Sequence, residues 1–246
     1  MHINEAYEVS GEQSGRWIVT ADHASNSVPG WINGGSLGLQ HDDMGRHIAF
    51  DPGIEALSKL LANRLSGQTV LSRFSRLVID PNRGEDDPTL IMKLYDGSVI
   101  PANRSLSQSQ IEERLDRLYH PYHHAIAQSI SRVNDPIVVS LHSFTPKLRS
   151  RPPRPWHVGI LSAQDRRLAD PMIAILSENS EICVGDNEPY TGALVGDAMD
   201  RHGVSTERPH VLIEIRNDLL ITLDQQAHWA DYLAMVVYRA VAIAGL

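Results

Sequence analysis

Short β-branched runs alternate with stretches of helical period along this chain, and that alternation limits what it can fold into. RWIVTA (16–21), TVLS (69–72), RLVID (76–80), PIVVSLHS (136–143), HVGILS (157–162), ICVGD (182–186) and HVLIEIRN (210–217) read as strands. Several are apolar nearly throughout, as strands buried on both faces are. Between them, Ile54, Leu57, Leu61 and Leu65 fall on one helical face. Asp51-Pro52 reads as the cap and first turn of that helix, and Gly67 as its stop. Ser109-x-x-Glu112 reads as a capping box for a second helix, with Ile111, Leu115, Leu118, Tyr122, Ile126 and Ile130 inward and a kink at Pro121. Residues 165–178, broken at Pro171, and 223–244 give two more helices. Residues 81–105 read as a loop long enough to be functional. Strands and helices in alternation imply an α/β fold, a largely parallel sheet covered on both faces. The 246 residues suit a single domain over 1–246.

Composition removes several function classes. A single cysteine, Cys183, allows neither an internal disulfide nor a thiolate metal cluster, and it reads as a core residue of its strand. Thirty acidic residues against twenty-two basic ones give −8 with no long basic run, so nucleic acid is not an expected partner. The polar start is unlike a signal peptide and no apolar stretch is long enough for a membrane span, so a cytoplasmic location is expected. Phosphate-binding glycine loops and the G-x-S-x-G elbow are missing. The unusual number is twelve histidines. HPYHH (120–124) lacks the Glu of a metalloprotease helix and reads as a helix face.

In parallel sheets ligands bind just beyond the carboxyl ends of the strands. His23, Asn82-Arg83, His142 and Glu214-Arg216 all fall at or near such ends. Two histidines at two strand ends, a third nitrogen or oxygen donor and an open water position make a mononuclear zinc site. A guanidinium at a strand end is a fork for a carboxylate. Glu214 lies inside an apolar run, where a carboxylate costs several kcal/mol unless it is paired or reactive. It either pairs with Arg216 across one pleat or serves as a general base raised by burial.

The segments ADHASNSVP (21–29), RHIAFDPG (46–53), SRLVIDPNR (75–83), IPANR (100–104), VSLHSFTP (139–146), RPWHVGIL (154–161), VGDNEPYTG (184–192) and IEIRNDL (213–219) run through the chain in order. In them the chain resembles the N-formylglutamate amidohydrolase family, in its N-formylglutamate amidohydrolase-like branch. The resemblance implies a three-layer α/β/α sandwich with a mostly parallel mixed sheet, related to zinc-dependent exopeptidases. It implies zinc on His23 and His142, with Asn26 at the position where the family's H-x-x-E carries its Glu; Asp22, His47 or Asp51 are the other donors in reach. It assigns Asn82 and Arg83 to the substrate carboxylate and Glu214 to catalysis; beside these, Arg104 is a further candidate for the carboxylate, Arg216 for catalysis, and Ser143, Asn187 and Tyr190 for the substrate pocket. The implied substrate is a small anionic N-formyl or N-acyl amino acid, whose charge calls for a basic pocket on an acidic surface. A non-catalytic carboxylate binder and a carboxypeptidase-type peptidase are the competing readings.

Overall fold

The structure, a computed structural model, describes residues 1–12 and 15–246. Eight strands form one sheet: β1 (His2–Ile3), β2 (Tyr7–Gly11), β3 (Trp17–Ala21), β4 (Gln68–Ser72), β7 (Ile137–Phe144), β8 (Val158–Leu161), β9 (Val184–Asp186) and β10 (His210–Arg216). Their order is β1-β2-β4-β3-β7-β10-β8-β9. The central strands β4, β3, β7 and β10 run parallel, while β8 and β2 pair antiparallel with their inner neighbours. A small hairpin, β5 (Leu94–Tyr95) and β6 (Ser98–Val99), lies apart.

Successive side chains on a strand point to opposite faces, and each central strand feeds two cores. Val19, Val139, Leu141, Val211, Ile213 and Ile215 enter one. There they meet α2 (Ile54–Arg64), which follows the short α1 (His41–Met44), and with it α5 (Ala169–Leu176) and α7 (Leu223–Ala244). Ile18, Val70, Val138 and Leu212 enter the other, under α4 (His120–Ser131) and the long loops. The fold is therefore the expected mixed α/β sandwich with helices on both faces. Burying each of these aliphatic side chains contributes about 1.5–3 kcal/mol. Among the described residues no helix is long and apolar enough to cross a membrane.

Several local expectations change. RLVID is not a strand: Leu77, Val78 and Ile79 are buried, but Val78 N–H returns to Ser75 O at 2.9 Å and closes a turn. Its apolar run serves the core from a loop. The capping box is Ser107 with Gln110, opening α3 (Gln108–Arg114), not Ser109 with Glu112. The backbone then widens into a π-helical turn at Leu115–Tyr119 before Pro121, which has no N–H to return to the preceding turn. Pro171 does not break α5, because it sits in the first turn where its missing N–H costs nothing. Cys183 is exposed just ahead of β9 rather than in the core. Asp51 does not cap α2: the N-cap is Gly53, at φ +84°, where a Cβ would meet Leu220 Cβ at 2.6 Å. That turn frees the Asp51 carboxylate to point under the sheet edge.

Candidate active site

The parallel strands β3, β7 and β10 end at one edge, and they deliver the site. β3 runs out into Asp22-His23, while β7 carries His142-Ser143 and β10 carries Glu214. Glu214 is the register partner of His142. His23, Asp51, His142 and Glu214 open on a cavity of about 260 Å³, whose wall also includes Arg83 and Tyr190.

Three potential ligand atoms converge at its floor. His142 Nδ1 is 3.2 Å from His23 Nδ1 and 3.1 Å from Asp51 Oδ2, and His23 Nδ1 is 3.4 Å from the same oxygen. All three residues are buried. The far ring nitrogens are already engaged by carboxylates: His23 Nε2 with Asp80 Oδ1 at 2.7 Å, His142 Nε2 with Asp22 Oδ2 at 3.1 Å. With the protons on those far nitrogens, both Nδ1 lone pairs face the Asp51 oxygen. Three acceptors so placed repel one another unless a proton or a cation lies between them.

The set could hold a metal ion. Ligand atoms about 2.0–2.1 Å from a shared ion lie about 3.3 Å apart, close to the three separations found. Two imidazoles and a carboxylate are a zinc donor set, and carboxylates behind each imidazole orient such ligands. Those carboxylates are themselves held: Tyr122 donates to Asp22 Oδ1 at 2.7 Å, and Arg76 Nη2 to Asp80 Oδ2 at 2.7 Å.

The electrostatics are strongly polarised. Burial pushes the Asp51, Asp22 and Asp80 carboxyls up, but His23, His142 and Arg76 outweigh it and all three sit below the usual range. Burial lowers His142, yet hydrogen bonds and charge from Asp22 and Asp51 raise it well above an ordinary histidine. Glu214 goes the other way: burial pushes it to about 7. It is only 6% exposed and Oε2 has no hydrogen-bond partner among the described residues. Asp197, at the N-terminus of α6 (Ala198–His202), also lines the cavity and is raised by burial to about 6.

The structure sorts the sequence candidates. His23, His142, Glu214, Asn82, Arg83, Ser143 and Tyr190 all line the cavity. Ser143 N–H donates to Asp51 Oδ2 at 3.1 Å, which ties the carboxylate to β7. Asn26 is not brought in: it is exposed and its Nδ2 donates to Met44 O at 2.9 Å. A residue three places on shares a face only in a helix, and residues 24–29 have no helical structure. Asp51 stands where Asn26 was expected. Arg216 does not pair with Glu214; its Nε donates to Asp218 Oδ1 at 2.8 Å, and Nη1 reaches the carbonyls of Arg154, Pro155 and Trp156. Arg104 is exposed beyond the short helix Pro101–Asn103. Asn187 lies outside the cavity wall, where its Oδ1 accepts from Ser162 N–H and Gly192 N–H. Asp80, Arg76 and Asp197 escaped the sequence reading. Arg76 and Asp80 are the two ends of the segment expected as a strand, and only folding brings them behind His23.

The profile of the N-formylglutamate amidohydrolase family matches residues 15–221. The chain belongs to this family. Membership makes it a hydrolase of C–N bonds other than peptide bonds. Gene product Atu2144 from Agrobacterium tumefaciens is 32% identical, with 99% of this chain and 97% of that chain covered at a TM-score of 0.92. N-formylglutamate amidohydrolase from Ralstonia eutropha JMP134 is 21% identical, covers 97% of this chain and 100% of that chain at a TM-score of 0.61, and shares the fold. No curated protein matches the sequence.

Proposed function

We propose that this chain is a metal-dependent amidohydrolase that cleaves the C–N amide of an N-formyl or N-acyl amino acid. The observation that carries the reading is the juxtaposition of three converging acceptors with the buried Glu214 carboxylate, whose Oε2 has no partner among the described residues, on the same cavity. His23, Asp51 and His142 would hold the metal, most simply zinc. When bound, it supplies Lewis-acid chemistry: it acidifies water and polarises a carbonyl oxygen.

The other roles fall to side chains of this chain. Asp80 and Asp22 fix the imidazole orientations, so that the Nδ1 lone pairs stay aimed at one point. Glu214, at about 7, exchanges a proton readily near neutral pH. It accepts a proton as the water oxygen joins the acyl carbon. It returns that proton to the nitrogen as the C–N bond breaks, releasing a carboxylic acid and a free amine. Asn82 and Arg83 grip the α-carboxylate. Arg83 suits this because its Nε and Nη1 are held by Thr89 Oγ1 and Asn82 O, both neutral, so its charge is not consumed.

The test is metal content by elemental analysis on the purified protein and on His142→Ala, beside hydrolysis of N-formylglutamate followed by amine release. About one zinc per chain, lost together with turnover in the variant, is expected. Full activity in protein stripped of metal would overturn the reading.

A further inference from the structure

A second cavity, of about 450 Å³, opens between α4 and residues 201–208. It is larger than the strand-end cavity, and among the described residues the two have no wall residue in common. His120, His123 and His124 face it from α4, and Arg201, His202 and Arg208 from α6 and the turn after it. Among the described residues no carboxylate lines it. On a chain whose net charge is −8, six basic side chains on one wall make a local field that favours anions.

The donors are fixed and only partly used. His123 Nδ1 lies 2.9 Å from His202 Nε2, with both rings buried and stacked at 27°. One proton serves that contact, and His202 keeps Nδ1 for a ligand. Burial holds both imidazoles neutral, so the permanent charge comes from the two guanidiniums. Arg201 lies over Tyr119, with Cζ 5.3 Å from the ring centre and Nη2 3.0 Å from the hydroxyl. Its contact with Glu85 is 3.4 Å long and half-exposed, where an ion pair is weak. His120 meets Glu85 and Asp116, each at 3.4 Å and at exposed positions. Arg208 is half-buried and forms no ion pair among the described residues. A cation is not the ligand. Among the described residues only His23, Asp51 and His142 form a group of three close enough to share an ion, and two guanidiniums would repel one.

We infer that this cavity binds an organic phosphomonoester. Phosphate offers three acceptor oxygens, which suits donors arriving from two segments, and arginine pairs with it through two parallel N–H bonds. Arg208 and Arg201 take the phosphate, with His202 beside them. The space exceeds what a bare phosphate fills, and Ala127 and Ile130 give it an apolar side for the organic part. The site is independent of the reaction at the strand ends.

The experiment is calorimetric titration in phosphate-free buffer with phenyl phosphate, inorganic phosphate and benzoate. The wild type is expected to bind phenyl phosphate with a Kd below about 1 mM. Inorganic phosphate, which lacks the ring, and benzoate, which lacks the phosphate, should each bind at least about tenfold more weakly. Arg208→Gln should weaken phenyl phosphate at least about tenfold, since a charge-assisted bidentate pair is lost. Ala127→Glu places a carboxylate on the wall at an exposed helical position and should abolish binding. Arg83→Gln, in the strand-end cavity, should leave the affinity unchanged. A wild type that does not bind phenyl phosphate would overturn the assignment, as would unchanged affinity in Arg208→Gln or Ala127→Glu. Loss in Arg83→Gln alone would place the ligand in the strand-end cavity. Equal affinity for benzoate would refute the phosphate, and equal affinity for inorganic phosphate the organic part.

Discussion

Glu214→Gln separates catalysis from stability in one substitution. The side chains are isosteric, so the β10 backbone and cavity shape are kept. If Glu214 is the base proposed above, kcat should fall by roughly 10²–10⁴-fold. Stability should move the other way. Burial raises this carboxyl from 4.5 to about 7 in the fold. A carboxyl raised by folding binds its proton more tightly folded than unfolded. Its contribution is therefore fully present below pH 4.5 and lost as pH rises to about 7. At about 1.4 kcal/mol per pH unit crossed, the loss amounts to about 3 kcal/mol above neutrality. The glutamine has no charge to bury and escapes it. Urea denaturation of chelator-treated protein at pH 4.5 and pH 8 measures the difference. The variant should match the wild type at the lower pH and exceed it by up to about 3 kcal/mol at the higher. The wild-type kcat/KM should rise through an ionisation near 7. Normal turnover in the variant, or lower stability than wild type at pH 8, would refute the argument.

The other predictions concern the groups around the site. Asp80→Asn weakens the brace behind His23 and should lower zinc affinity about 10–100-fold in a chelator competition; unchanged affinity would show the Asp80 contact to be incidental. Tyr122→Phe strips a buried hydroxyl from Asp22 and should cost about 1–2 kcal/mol in denaturant unfolding. His123 Nδ1 and His202 Nε2 are 2.9 Å apart, and burial lowers the two to about 3 and about 4. The unfolded chain takes up protons below pH 6.5 where the fold does not, so stability present above 6.5 is lost as pH falls toward those values. At pH 5 that is about 2 kcal/mol per histidine. His202→Gln should shift acid unfolding, followed by circular dichroism, to lower pH; an identical acid profile would count against the pair.

What the sequence determined by itself is what period and chain order encode. The apolar runs of β3, β7 and β10 are local and unambiguous, and the residues that close them are fixed by position. Hence His23, His142 and Glu214 were legible, and α7 matched its predicted 223–244. Tertiary structure decided which carboxylates meet the histidines. Asp51 looked like a helix cap because an Asp before Pro usually is one, yet the left-handed turn at Gly53 displaced the cap and sent the carboxylate 3.1 Å from His142 Nδ1. Asp80 lies 57 residues from His23 and is joined to it only because a loop folds back along the sheet edge. Asn26 failed for the converse reason: closeness in sequence became closeness in space only if the segment were helical, and it is not. Periodicity is a property of neighbours along the chain. A metal site is a property of loops meeting, which no local pattern records.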